Sequence, residues 1–106
     1  MINNAILTGT IGASPMEIKN DEEETVLSFN LSTKSISTIL GIEKERIDWH
    51  RISILKENAK DIKHILKKGV KILVRGNLQN NVYVKNEKKV YRYEVFTNSI
   101  KKVSND

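Results

Sequence analysis

The chain has 106 residues, 39% hydrophobic and 29% charged, the size and balance of one soluble globular domain. It has no cysteine, which excludes disulfides and thiolate metal sites, and no apolar run long enough to cross a bilayer as a helix. The formal charge is +5, spread unevenly: residues 1–53 hold five Lys/Arg against eight Asp/Glu, residues 54–106 thirteen against five. Such asymmetry points to a polyanionic partner for part of the surface. A merely lysine-rich solvated surface fits the charge equally well. The lack of cysteine and of a charged-then-apolar leader predicts a cytoplasmic or organelle-matrix protein.

Period-two alternation is the recurrent signal, and it marks strands with one buried face. "NAILTGTIGA" reads as a first strand loosened by Gly9 and Gly12, ending in a turn at Ser14-Pro15. "NDEEE" (20–24) is an acidic solvated turn. "TVLSFNLSTK" (25–34) puts Leu27, Phe29 and Leu31 on one face and Lys34 on the other. "SISTILGIEKER" (35–46) lacks clean periodicity and is expected to be a long loop.

In "IDWHRISIL" (47–55), Ile52 and Ile54 share a face suited to a barrel interior. Trp49, Arg51 and Leu55 share the opposite face. An exposed indole beside a guanidinium suits an unpaired base and its phosphate: the base stacks on the ring and the cation neutralises the backbone. A tryptophan covering a barrel end or a subunit contact fits the pattern as well.

"KENAKDIKHILKKG" (56–69) repeats Ala59, Ile62, Ile65 and Leu66 at helical spacing. Lys67 and Lys68 lie where a helix dipole is negative, and Gly69 follows as a C′ residue. The spacing predicts one helix between the third and fourth strands. "KILVRGNL" (71–78) turns Ile72, Val74 and Leu78 one way and Lys71 and Arg75 the other. "NVYVKNEKKVYRY" (81–93) interleaves Tyr83, Tyr91 and Tyr93 with Lys85, Lys88, Lys89 and Arg92. Aromatics among cations form a stacking and charge-neutralising surface. Tyr83 is the better candidate for that role, and Tyr91 and Tyr93 for bracing the strands. Five strands and one helix predict a mainly β protein, a closed Greek-key barrel of the OB type, in a single domain.

These residues carry a resemblance to bacterial and mitochondrial-type single-stranded DNA-binding proteins over nearly the full length. The pieces are Asn3, Leu7, Gly9, Ile11, Gly12 and Pro15; "FNLST"; Trp49-His50-Arg51-Ile52; "LKKG"; "ILVRGNL"; and Tyr91, Glu94 and Val95. The resemblance implies an OB barrel that coats single strands in replication, recombination or repair, most often as a homotetramer, with a dimer as the smaller option. It puts Trp49 and Tyr83 on base-stacking positions, Leu55 on a nucleic-acid-binding position usually phenylalanine, where it gives only apolar contact, and His50 on a subunit contact. Arg51, Lys71, Arg75 and Lys85 are then expected to meet phosphates, with Lys34 and Lys88 after them.

Departures from the family pattern are Ile36 or Ser37 in place of a tryptophan, Leu55 in place of phenylalanine, and Gln79–Asn81 without arginines. Lys71 and Arg75 add charge where the family is often neutral or acidic. The chain ends on "KKVSND", so recruitment of replication enzymes through an acidic tail is not expected. The dimeric primosomal replication protein N, which generally lacks "WHR", is the second relative the chain resembles. An OB module that binds only a protein, and an RNA binder, are the further alternatives. An enzyme is not expected: there is no nucleophile–base motif, phosphate loop, dinucleotide fingerprint or metal-ligand spacing, and no cofactor is implied.

Overall fold

The structure is a computed structural model and describes residues 1–103. Six strands form: β1 (Ala5–Ile11), β2 (Met16–Lys19), β3 (Thr25–Ile39), β4 (Ile42–Leu55), β5 (Lys71–Lys85) and β6 (Lys88–Lys102). They pair in the order β1-β5-β6-β4-β3, and an additional β1–β3 pairing closes the ring. The β4–β6 contact is parallel and every other pairing antiparallel. This is the expected five-stranded OB barrel, with β2 pairing the start of β3 on the edge that meets β1 farther along. β2 has no counterpart among the expected strands, because its four residues "MEIK" are too few to show a period.

Alternation fills the barrel as expected. Leu27, Phe29 and Leu31 of β3 meet Ile52 and Ile54 of β4, Ile72 and Val74 of β5, and Val95 and Ile100 of β6. Leu78, expected on the same buried face, is a partial exception. It lies toward the projecting end of the β5–β6 hairpin and is half exposed.

The predicted helix does not form. Residues 56–69 make two 3₁₀ turns, Lys56–Ala59 and Lys63–Ile65. Ala59, Ile62 and Ile65 recur every third residue, which suits three residues per turn. A segment this short is marginal as an α-helix in any case. Ala59 and Leu66 still plug the core, and Gly69 does adopt positive φ, donating its N–H to the Ile11 carbonyl.

The predicted long loop does not form either. β3 and β4 run on as a hairpin arm to Ile39 and Ile42, joined through Leu40 and Gly41, both at positive φ. Every residue from Ser35 to Ile47 is exposed. Periodicity reports a difference between two faces, so an arm with water on both sides leaves no such signal. The acidic turn is as expected: Asn20 Oδ1 accepts from the backbone N–H groups of Glu22 and Glu24. No helix among the described residues is long and apolar enough to cross a membrane.

Candidate nucleic-acid interface

Trp49 stands on the outer face of β4, 62% exposed. The ring lies over Gly12: a methyl group there would fall 2.6 Å from Trp49 Cζ3. Gly12 donates its backbone N–H to the Asn30 carbonyl, so the bend after β1 makes a floor of bare backbone under the indole. The Cζ3–Cη2 edge of the ring thus rests against Gly12, while most of the indole is open to solvent.

Two cation-lined depressions flank the indole. On one side Arg51, two residues along β4, donates to Ser28 Oγ at 3.1 Å. Burial, and then the nearby Arg92, press its guanidinium below its ordinary pKa, but an arginine stays charged. Arg51, Lys19, Lys85 and Arg92 line a groove of about 470 Å³ between β2, the outer face of β4 and the β5–β6 hairpin. Glu17 is the single carboxylate in its wall, and Lys56 binds it at 2.7 Å. On the other side Lys34 and Lys71 line a hollow of about 360 Å³ with Thr8, Thr10, Ser32 and Ile47. Trp49, Ser32, Thr10 and Lys71 are successive register partners on β4, β3, β1 and β5. Tertiary pairing thus sets an aromatic ring, two hydroxyls and a cation in one row across four strands.

The other expected residues fall elsewhere. Tyr83 is corrected: it is 4% exposed and offers no free ring face. Its hydroxyl donates to Glu94 Oε2 and also contacts Ser53 Oγ at 3.5 Å, while Asn81 donates to the same Glu94 oxygen. Burial foremost, with the Glu94 hydrogen bond behind it, pushes the phenol pKa up to about 12. The cause is the curl of the hairpin, whose Tyr83 face folds onto the outer face of β4. Tyr91 and Tyr93, expected only to brace strands, are instead 66% and 71% exposed.

Leu55, expected to give an apolar contact, is half-buried and stands apart from Trp49. It lies six residues beyond Trp49, about 20 Å along the strand, and walls a separate hollow with Leu27, Ala59, Lys60 and Lys63. Arg75 is exposed opposite Ile6 and Ser99, four residues along β5 from Lys71. Lys88 pairs with Lys85 at the hairpin tip and does not line the groove. His50 Nε2 is 2.8 Å from Thr33 Oγ1, on the inner side of the β3–β4 hairpin. His64 is exposed. No three of His, Cys, Asp or Glu group as metal ligands among the described residues.

Lys19 lies outside the expected set, and Arg92, expected only as one cation of the basic hairpin, joins the groove wall. The signal for Arg92 lay in the turn Asn86–Glu87: a two-residue loop fixes the pairs Tyr83–Val90 and Asn81–Arg92, putting Tyr83 and Arg92 on one face. Lys19 had no local signal, because β2 acquires its place only through pairing with β3.

A mitochondrial single-stranded DNA-binding protein of Drosophila melanogaster is 30% identical over 79 residues, 73% of this chain and 53% of that protein. A single-stranded DNA-binding protein of Rickettsia typhi is 31% identical over 81 residues, 74% of this chain and 53% of that one. The chain thus spans about half the length of these curated relatives. A deletion mutant of the single-stranded DNA-binding protein from Thermus aquaticus superposes with a TM-score of 0.78 at 27% identity, covering 98% of this chain and 51% of that one. The Plasmodium falciparum SSB in complex with ssDNA superposes with a TM-score of 0.77, covering 98% and 96%; at 23% identity it shows the shared fold. The sequence pattern of the Single-strand binding protein family matches residues 2–103, and the chain belongs to that family.

Proposed function

We propose that this protein coats single-stranded DNA with little sequence preference and carries no catalysis. One observation carries the reading: the supported, open indole of Trp49 lies between two cation-lined depressions. A base stacks on the ring while Arg51, Lys19, Lys85 and Arg92 on one side, and Lys34 and Lys71 on the other, neutralise phosphates. Stacking tolerates any base, so this surface reads backbone and ring rather than sequence. Lys88 and Arg75 attract the polyanion from farther out. Leu55 offers the strand an apolar contact in its own hollow beside Lys60 and Lys63, and Tyr83 contributes through the fold.

The relatives are named for binding single-stranded DNA, one of them in the mitochondrion, and coating of that strand suits a role in DNA replication, recombination or repair, in a bacterial nucleoid or an organelle matrix. We assign the functional unit as a homo-oligomer, a tetramer or a dimer. Leu78, Tyr91 and Tyr93 share the hairpin face opposite Tyr83 and are all more than half exposed. A face this apolar suits a second copy, and His50, tied to Thr33, supports that contact.

The test is Trp49 fluorescence with oligo-dT. Quenching is expected, with apparent affinity falling as salt rises, by about 0.7 in log K per unit log[salt] for each phosphate neutralised. Trp49→Ala is expected to weaken binding by about 1–3 kcal/mol, a scale taken from proteins of this kind and not from this chain. Lys88→Ala should cost less. No quenching, or the reverse order of the two variants, would exclude stacking on Trp49 as the main contribution. Equal competition by U oligomers would extend the reading to RNA.

A further inference from the structure

We propose that the hollow between β1, β3 and β5 seats one backbone phosphate of the bound strand, and that Glu45 competes with that phosphate for Lys34. The proposal rests on the single-strand reading above and sharpens it to one subsite.

The hollow has the donors such a ligand needs. Lys34 stands on one side and Lys71 on the other, with Thr8, Thr10 and Ser32 between them. Ser32 Oγ already donates to the Thr10 carbonyl at 3.3 Å. The hydroxyls of Thr8 and Thr10 and the two ammonium groups therefore face the hollow as the available donors. A phosphodiester carries one negative charge and two free oxygens. Two ammonium groups and neutral hydroxyls match that charge and its need for charge-assisted hydrogen bonds. Trp49 lies in the same transverse row as Ser32, Thr10 and Lys71. Three strand spacings separate Trp49 from Lys71, about 14 Å, so the ring and the seat serve one continuous stretch of strand.

The two lysines are not equivalent. Lys71 makes no ion pair among the described residues, whereas Lys34 Nζ lies 3.3 Å from Glu45 Oε1. Glu45 and Glu43 occupy the outer face of the arm beyond Trp49, on the same side as Lys34. A polynucleotide continuing along the arm would run onto these carboxylates. Crossing β1 toward Lys71, it meets hydroxyls and a free cation. Glu45 thus turns the strand's path and also holds Lys34 until a phosphate displaces it. That exchange exposes the carboxylate to phosphate repulsion, so Glu45 lowers affinity.

The experiment titrates the intact chain and four variants with oligo-dT at several salt concentrations, following Trp49 quenching. All substituted positions are exposed, and thermal unfolding should be unchanged. Lys71→Ala is expected to weaken binding about fivefold at low salt and to make the salt slope shallower by about 0.7. Glu45→Gln is expected to tighten binding and to steepen the slope by the same amount. Lys34→Ala alone should have a small effect, and Lys34→Ala with Glu45→Gln should lose the gain. An unchanged slope in Lys71→Ala overturns the seat. A Glu45→Gln gain that survives Lys34→Ala means a general charge effect and overturns the competition. Both results are read while the parent chain still binds and quenches. A parent chain that does not quench overturns the single-strand reading as well.

Discussion

The environment of Trp49 depends on a residue without a side chain. Gly12 leaves bare backbone against the Cζ3–Cη2 edge of the indole, and any Cβ there would occupy space the ring now fills. Trp49 is exposed enough to swing away, so Gly12→Ala should cost little stability. It should instead shift the tryptophan emission and weaken oligo-dT binding severalfold, as the ring loses its support. Unchanged emission would show that the ring does not rest on that glycine. Tyr83 is the opposite case, an aromatic taken out of contact with water and held by Glu94. Its raised pKa favours the protonated phenol in the fold. Its contribution is therefore complete below the ordinary tyrosine value near 10 and is lost as pH rises toward about 12. Tyr83→Phe leaves Glu94, whose Oε1 already lacks a partner, with one donor fewer. The expected cost is about 1–3 kcal/mol near neutral pH, with a flatter fall in thermal stability between pH 10 and 12.

At the level of elements, the two hairpins do different work. The β5–β6 hairpin curls onto β4, closes one wall of the cationic groove and buries Tyr83. The β3–β4 arm projects, with Leu40 97% exposed at positive φ in its two-residue turn. Such a turn prefers Asn-Gly, and a leucine there bears both backbone strain and contact with water. Leu40→Asn is therefore expected to stabilise the chain by about 1 kcal/mol, read as a rise of roughly 4 °C in Tm. A fall in Tm would mean that Leu40 is covered in the assembled protein. The 3₁₀ segment illustrates how little separates two elements. Its apolar residues satisfy a period of three as well as 3.6, and docking against the barrel settles which one forms.

For the molecule as a whole, the arrangement of charge matters more than its sum. The arm's outer face ends in Glu43 and Glu45, while the barrel and the second hairpin carry the cations. A strand following the cations crosses the barrel and avoids the arm. Mass measured in solution should be a multiple of the 12.1 kDa chain. Placing aspartate at both Leu78 and Tyr93 should shift it toward the single chain with the far-UV spectrum retained. An unchanged mass would put the contact on another face.

Much of this was legible in the sequence because some information is local. Alternation fixed which side of β3, β4 and β5 is buried, since side chains point to opposite faces whatever the neighbours are, and it put Trp49 and Arg51 outside together. What lay beyond the sequence needed strands to meet. The burial of Tyr83 and the row from Trp49 to Lys71 follow from which strands pair and how the hairpin curls. Parity along one strand assigns a face, but it cannot say whether that face will meet water or another strand, because the covering element comes from distant residues.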